Sequence, residues 1–309
     1  MLTQKIEFVN EKIDEFNEHK NFALDLQRKL SLLYDKRNLY ATTTYNNAKS
    51  ENILKCGTHL EFERFKDAKN TTRIYGANFC KNKLCPMCAW RLHIKNAVKF
   101  QRVFNELGEH EYYHLTLTIR NVPNITKEFI LSLRQKATKF VKKVMKIDDY
   151  FLSFELTIGK DGTFHPHYHI IYIKDEGKEF TKKWLQTQWA YICNYGSKYQ
   201  IVHNAKCNRK TISRELTKYI LKFEDISPNL KQLQIIDTAL KGVRKYASNG
   251  IFLKAQREIE KVLEKEDFDK MCNLEEYASQ ILFYNWIGQS YELSEVREVE
   301  RQERPNQSA

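Results

Sequence analysis

His165-Pro166-His167-Tyr168-His169-Ile170-Ile171-Tyr172-Ile173 decides how this chain is read. Three of the nine histidines fall within these first five residues, at alternate positions. The Ile and Tyr residues that follow are strand formers, and alternate side chains of a strand share one face. The three imidazoles therefore project together. One alternative is the polar face of an exposed strand. Rings brought to one point also suit a transition metal.

The neighbouring segments extend this reading. Phe151–Ile158 reads as a second strand, and Gly159-Lys160-Asp161-Gly162 is a turn signal, so the two strands form a β-hairpin. If Lys160-Asp161-Gly162 is a three-residue loop with Gly162 left-handed, Glu155 lies opposite His167 and offers a third ligand. A two-residue Asp-Gly loop would shift the register and remove it. Glu155 is the lone acid of an otherwise uncharged strand, an odd place for a charge without a use. Tyr112–Ile119 reads as a further strand and 127–146 as a helix. The expected fold class is α+β: a central antiparallel sheet flanked by helices, with the histidine strand central.

Downstream, the stretch from Ser213 to Lys222 has helical composition. Glu215 and Tyr219 sit four apart on one face, beside the i, i+4 pair Lys218 and Lys222. With 17 tyrosines in the chain, one on a helix is ordinarily a packing residue. The alternative is chemical. A phenol has a pKa of about 10, and a nearby divalent metal and lysines stabilise its ionised form. Its attack on a phosphodiester yields a phosphotyrosine that stores the energy of the broken bond, so joining needs no ATP.

Cys80-Lys-Asn-Lys-Leu-Cys85-Pro-Met-Cys88 carries a second metal signature. The Cys85–Cys88 spacing suits tetrahedral zinc, with Cys56, His59 or His93 as candidates for the remaining ligand. A closed four-ligand site leaves no position for substrate, which makes this zinc structural. Cys193, Cys207 and Cys272 have no motif around them.

The chain has 309 residues and a formal charge of +12. The first 250 residues hold 43 basic and 26 acidic side chains, and the remainder holds 8 and 13. A body so basic favours a polyanion such as nucleic acid. No apolar run reaches the roughly 18–20 residues of a membrane span, and the N-terminus lacks a signal-peptide core, so a cytoplasmic protein without a membrane partner is expected. The segments read as a helical N-terminal arm (1–50), a cysteine-rich zinc-binding region (51–105), a core (106–255) and a charged helical C-terminal region (256–309).

Four blocks, in this order, resemble the rolling-circle replication initiators of small plasmids from Gram-positive bacteria, within the HUH endonuclease superfamily. They are the Thr-rich strand from His114, the His165-Pro-His-Tyr-His run, Glu215-Leu-Thr-Lys-Tyr219, and the basic block Lys241-Gly-Val-Arg244-Lys245-Tyr-Ala-Ser-Asn-Gly-Ile-Phe. The resemblance implies an HUH nickase fold with a zinc-binding insertion and helical termini. It further implies that Tyr219 is the nucleophile and Glu215 activates water at termination. His167, His169 and Glu155 would hold Mn²⁺ or Mg²⁺, while Cys56, Cys80, Cys85 and Cys88 hold Zn²⁺. Lys218, Lys222, Lys241, Arg244 and Lys245 are the DNA-contacting candidates. Implied partners are plasmid origin DNA, as a single strand or extruded hairpin at the nick, together with host helicase and polymerase. A second copy of the chain is a further candidate. Relaxases, HUH transposases and a non-catalytic zinc-containing DNA-binding regulator are the alternative readings. A tyrosine that follows the histidine strand favours replication over the relaxases.

Overall fold

The structure is a computed structural model and describes residues 2–33, 43–65, 72–175, 177–194, 196, 202–207, 212, 230–265 and 278–298. Glu215, Lys218, Tyr219 and Lys222 lie outside the described residues. In chain order the first elements are α1 (Leu2–Leu33), α2 (Thr43–Lys55), β1 (His59–Phe65), β2 (Thr72–Ala77), α3 (Pro86–Leu107), β3 (Tyr112–Thr118) and α4 (Lys127–Lys139). Then follow β4 (Tyr150–Ile158), β5 (Phe164–Ile173), α5 (Lys182–Cys193), β6 (Val202–Cys207), α6 (Leu230–Ala239), β7 (Tyr246–Asn249), α7 (Gly250–Lys265), β8 (Ala278–Trp286) and β9 (Tyr291–Glu298). The fold is α+β, with two antiparallel sheets and helices packed on them. The described residues divide into two compact units, one drawn from 2–88 and 263–298, the other from 89–262.

In the second unit five strands run in the order β6-β3-β5-β4-β7, so the histidine strand is central. Alternation assigns its two faces. Leu152, Phe154, Leu156, Tyr168 and Ile170 are buried on one face, where the Tyr168 hydroxyl donates to the Ile130 carbonyl of α4 at 3.3 Å. Thr126 caps α4 by accepting from Phe129 N–H at 3.1 Å, and a π-helical stretch, Phe140–Val144, continues it. Phe151 and Ile171, on the other face, pack with Phe100 and Phe104 of α3 and Phe252 of α7. The Phe100 and Phe151 rings meet edge-on at 4.6 Å, a geometry worth about 0.5–1.5 kcal/mol beyond the buried area.

Pro166 stands in this central strand although it has no N–H to donate. The β3 ladder ends at the pair Thr118↔His167, and contact resumes only at the Val122↔Phe164 bridge. Phe164 N–H donates to Val122 on that side, so by alternation the nitrogen of Pro166 faces the gap where β3 has ended. The proline thus costs no ladder bond.

The first unit holds the sheet β2-β1-β8-β9. Ile13, Phe16, Ala23, Leu26 and Leu30 form the buried stripe of α1, and Phe16 meets Phe62 of β1 edge-on at 5.6 Å. Tyr291 anchors the unit: its N–H donates to Asn17 at 2.9 Å and its hydroxyl donates to the Gly57 carbonyl. Gly57 has φ +66, and a Cβ there would fall 2.6 Å from Met87 Cε.

The C-terminal region needs correction. Residues 256–309 read as helical, yet α7 ends at Lys265 and 278–298 carry the β8–β9 hairpin. Leu282 and Tyr284 of β8 alternate into the core. The partner strand is distant in sequence, with His59 and Asn285 in contact 226 positions apart.

Candidate metal centres

The β4–β5 hairpin has the register of the three-residue loop, with Glu155 opposite His167 and Gly162 at φ +78. Glu155 is 5% and His167 9% exposed. One carboxylate oxygen of Glu155 lies 3.0 Å from His167 Nε2 and 2.8 Å from His169 Nε2. The ligand atoms of the three residues all fall within 4.8 Å of one another. Burial alone would raise the Glu155 carboxyl, but its contacts with His167 and His169 hold it below the usual carboxylate range. His165 lies outside this group; its ring is 5.3 Å from that of His167, and burial pushes its pKa down.

The arrangement fits a cation for a specific reason. His167 faces an oxygen acceptor at each nitrogen: the His165 carbonyl 3.3 Å from Nδ1, and Glu155 at Nε2. A neutral imidazole has one N–H. The second contact therefore needs either an extra proton or a cation between Nε2 and the carboxylate. Two imidazoles and a carboxylate suit Mn²⁺ well, and Mg²⁺ less well. Replacing Glu155 with glutamine should weaken Mn²⁺ binding by more than the roughly 10–100-fold that follows loss of an outer partner; unchanged affinity in a titration would remove Glu155 from the ligand set.

The basic block flanks this site on the β7 side. Lys241 and Arg244 are exposed and Lys245 is half-buried. The Lys245 carbonyl accepts from Phe154 N–H at 2.9 Å, one residue from Glu155. Its ammonium lies 5.0 Å from the Tyr246 ring centre. Burial pushes the lysine down to about 7, and the Glu155 charge opposes that shift.

In the first unit the sulfurs of Cys56, Cys80, Cys85 and Cys88 all lie within 4.8 Å of one another. The Cys56–Cys88 and Cys80–Cys88 sulfurs are 3.5 and 3.6 Å apart. Bonds of about 2.3 Å to a tetrahedral zinc would space sulfurs by about 3.8 Å, so the geometry fits that ion and not a disulfide. Two N–H groups already point at sulfur, from Cys80 to Cys56 at 3.3 Å and from Lys81 to Cys88 at 3.2 Å. Contact with Cys56 holds the Cys80 thiol down, while the same crowding pushes Cys85 and Cys88 up. His59 does not join them; it contacts Asn285 and Glu61.

Lys20, in the apolar stripe of α1, gave no signal in the sequence. It is fully buried and donates to the carbonyls of Leu54 and Cys56 at 2.8 and 2.7 Å. Burial lowers its pKa, and the charges of Cys56, Cys85 and Cys80 oppose the shift. A buried cation needs an anionic partner, and four thiolates around a Zn²⁺ ion would carry a net negative charge. Lys20→Met should destabilise the zinc-loaded protein by about 3 kcal/mol. An unaltered urea midpoint would contradict that pairing.

Comparison with known proteins then places the chain. Residues 71–292 match the family described as Replication protein. The chain belongs to that family. It is 28% identical over 255 residues to Protein rep of Lentilactobacillus hilgardii, covering 72% of this chain and 78% of that one. To Protein rep of Bacillus amyloliquefaciens it is 26% identical, covering 70% and 74%. A shorter match, 34% over 138 residues, joins 41% of this replication protein to 42% of Protein rep of Streptococcus pneumoniae serotype 2. No solved structure matches the chain. Among the described residues, no helix is long and apolar enough to cross a membrane.

Proposed function

We propose that this replication protein initiates rolling-circle replication of a plasmid in the cytoplasm, as an HUH-type nickase and strand transferase. The observation that carries the reading is the Glu155–His167–His169 group on the central hairpin of a member of this family. Glu155, His167 and His169 hold a divalent ion, Mn²⁺ or Mg²⁺. When bound, it neutralises charge on the scissile phosphate and orients it. The Tyr219 oxygen bonds to phosphorus as the bond to the 3′ oxygen breaks. The phenol proton leaves, the 3′ oxygen gains one, and the protein remains on the 5′ end as a phosphotyrosine.

The free 3′-OH then primes synthesis by host polymerase behind a host helicase. At termination Glu215, four residues before Tyr219 in the sequence, activates a water that cleaves a phosphodiester of the regenerated origin, and the 3′-OH so freed attacks the phosphotyrosine, joining the strand and restoring the Tyr219 hydroxyl. Lys218, Lys222, Lys241, Arg244 and Lys245 contact the origin DNA strand or hairpin. An approaching phosphate would favour the charged form of Lys245. The four cysteines hold structural Zn²⁺.

The test is cleavage of supercoiled DNA of the protein's own replicon with Mn²⁺, the products resolved with and without protease. A nicked circle with protein on its 5′ end is expected. Specific binding without a nick would instead favour a zinc-containing DNA-binding regulator, in which the Glu155 group has no task.

A further inference from the structure

The two histidines of the site are held from behind in different ways. His167 turns Nδ1 to a main-chain carbonyl, that of His165. No side-chain substitution removes that acceptor. His169 turns Nδ1 to side chains of β3: His114 Nε2 at 3.1 Å and Thr116 Oγ1 at 3.4 Å. Register brings them there, because Thr116 pairs with His169 and His114 with Ile171. The His114 and His169 rings lie 5.2 Å apart with a 34° tilt. His114 is half-buried between β5 and β6, where it also pairs with Ala205.

This difference matters for the tautomer. His169 presents Nε2 to Glu155 at 2.8 Å, so Nε2 is the nitrogen available to a cation. A neutral imidazole can offer the Nε2 lone pair only if its proton is on Nδ1. That N–H then needs an acceptor, and the nearer one is His114 Nε2. His114 can accept there only with its own proton on Nδ1. Side chains that fix a ligand's tautomer and ring angle commonly change metal affinity about 10–100-fold.

We propose that His114 is a positioning residue: its Nε2 accepts the Nδ1–H of His169 and so holds the His169 Nε2 lone pair towards the cation site. This rests on the reading of Glu155, His167 and His169 as a divalent-metal site. His114 does not bind the cation, because it meets the opposite nitrogen of His169. Thr116, the more distant contact, contributes less.

The experiment uses the full chain with His114→Leu, His114→Gln and Thr116→Val. The Gln carboxamide oxygen can accept from Nδ1–H and Leu cannot. Two readouts are taken: the ¹⁵N shifts of the His169 ring without metal, and Mn²⁺ affinity by electron paramagnetic resonance. Wild type should show His169 protonated at Nδ1. His114→Leu should lose that preference and bind Mn²⁺ about 10–100-fold more weakly. His114→Gln should recover most of both, and Thr116→Val should change affinity far less. If the Leu variant does not fold, His114→Met carries the same expectation.

Wild-type affinity and tautomer in His114→Leu would overturn the assignment and leave the metal reading standing. Weaker Mn²⁺ binding with the His169 tautomer unchanged would also overturn it, since the loss would then come from packing. Failure of the wild-type chain itself to bind Mn²⁺ would overturn the metal reading and this inference together.

Discussion

Tyr219→Phe should leave supercoiled replicon DNA uncut, with a loss of at least about 10³-fold in single-turnover nicking, while Mn²⁺ binding stays at the wild-type level. His167→Ala should lose both. The difference follows from chemistry. Phenylalanine has no oxygen to bond to phosphorus, and losing a covalent nucleophile removes the reaction path itself. It takes nothing from the Glu155–His169 group. Removing His167 leaves Glu155 and a single imidazole, with the carboxylate buried beside a vacated space. Cleavage retained by Tyr219→Phe would sink the tyrosine assignment. Loss of Mn²⁺ binding in that same variant would place Tyr219 in the ligand set.

The second large effect concerns zinc. Stripping it with a strong chelator, or replacing Cys85 with serine, should unfold the region around the cysteines. Structural zinc contributes about 10–16 kcal/mol of apparent binding free energy at neutral pH, comparable to or above the whole stability of a domain. Two of the four cysteines, Cys56 and Cys85, are fully buried. Lys20, also buried, would lose the anionic cluster beside it. Hydrogen exchange should rise in His59–Phe65 and Ala278–Trp286, which pair with each other. Protection in Tyr150–Ile158 and Phe164–Ile173 should change much less, because that sheet draws no strand from the first unit. Unchanged exchange in β1 and β8 after zinc is removed would show that the cysteine cluster does not support the sheet.

Local pattern carried much of this into the sequence. The His165–His169 alternation and the Gly162 turn were enough to give the hairpin, because pairing across a short loop is a local event, but they left a two-residue and a three-residue loop open, and the structure has the register of the latter. The cysteine spacing gave three candidate ligands but left Cys56, His59 and His93 open for the fourth. Sulfur distances group Cys56 with the other three cysteines, and His59 contacts Asn285 and Glu61 instead. The C-terminal hairpin was misread because β8 is stabilised by β1, a partner that no local window contains.

Lys20 and His114 mark the limit. In the sequence Lys20 is one of many basic residues of a basic chain, and His114 is a lone histidine within a Thr-rich strand. Nothing near either residue says what it will meet. By itself the sequence determined the central hairpin and most of the two candidate metal groups, which follow from residue spacing within a few tens of positions, and the family, which follows from four blocks in order along the chain. Only the tertiary structure decided which buried cation faces the thiols and which side chain stands behind His169. Those contacts join strands and helices distant along the chain, and only packing brings them together.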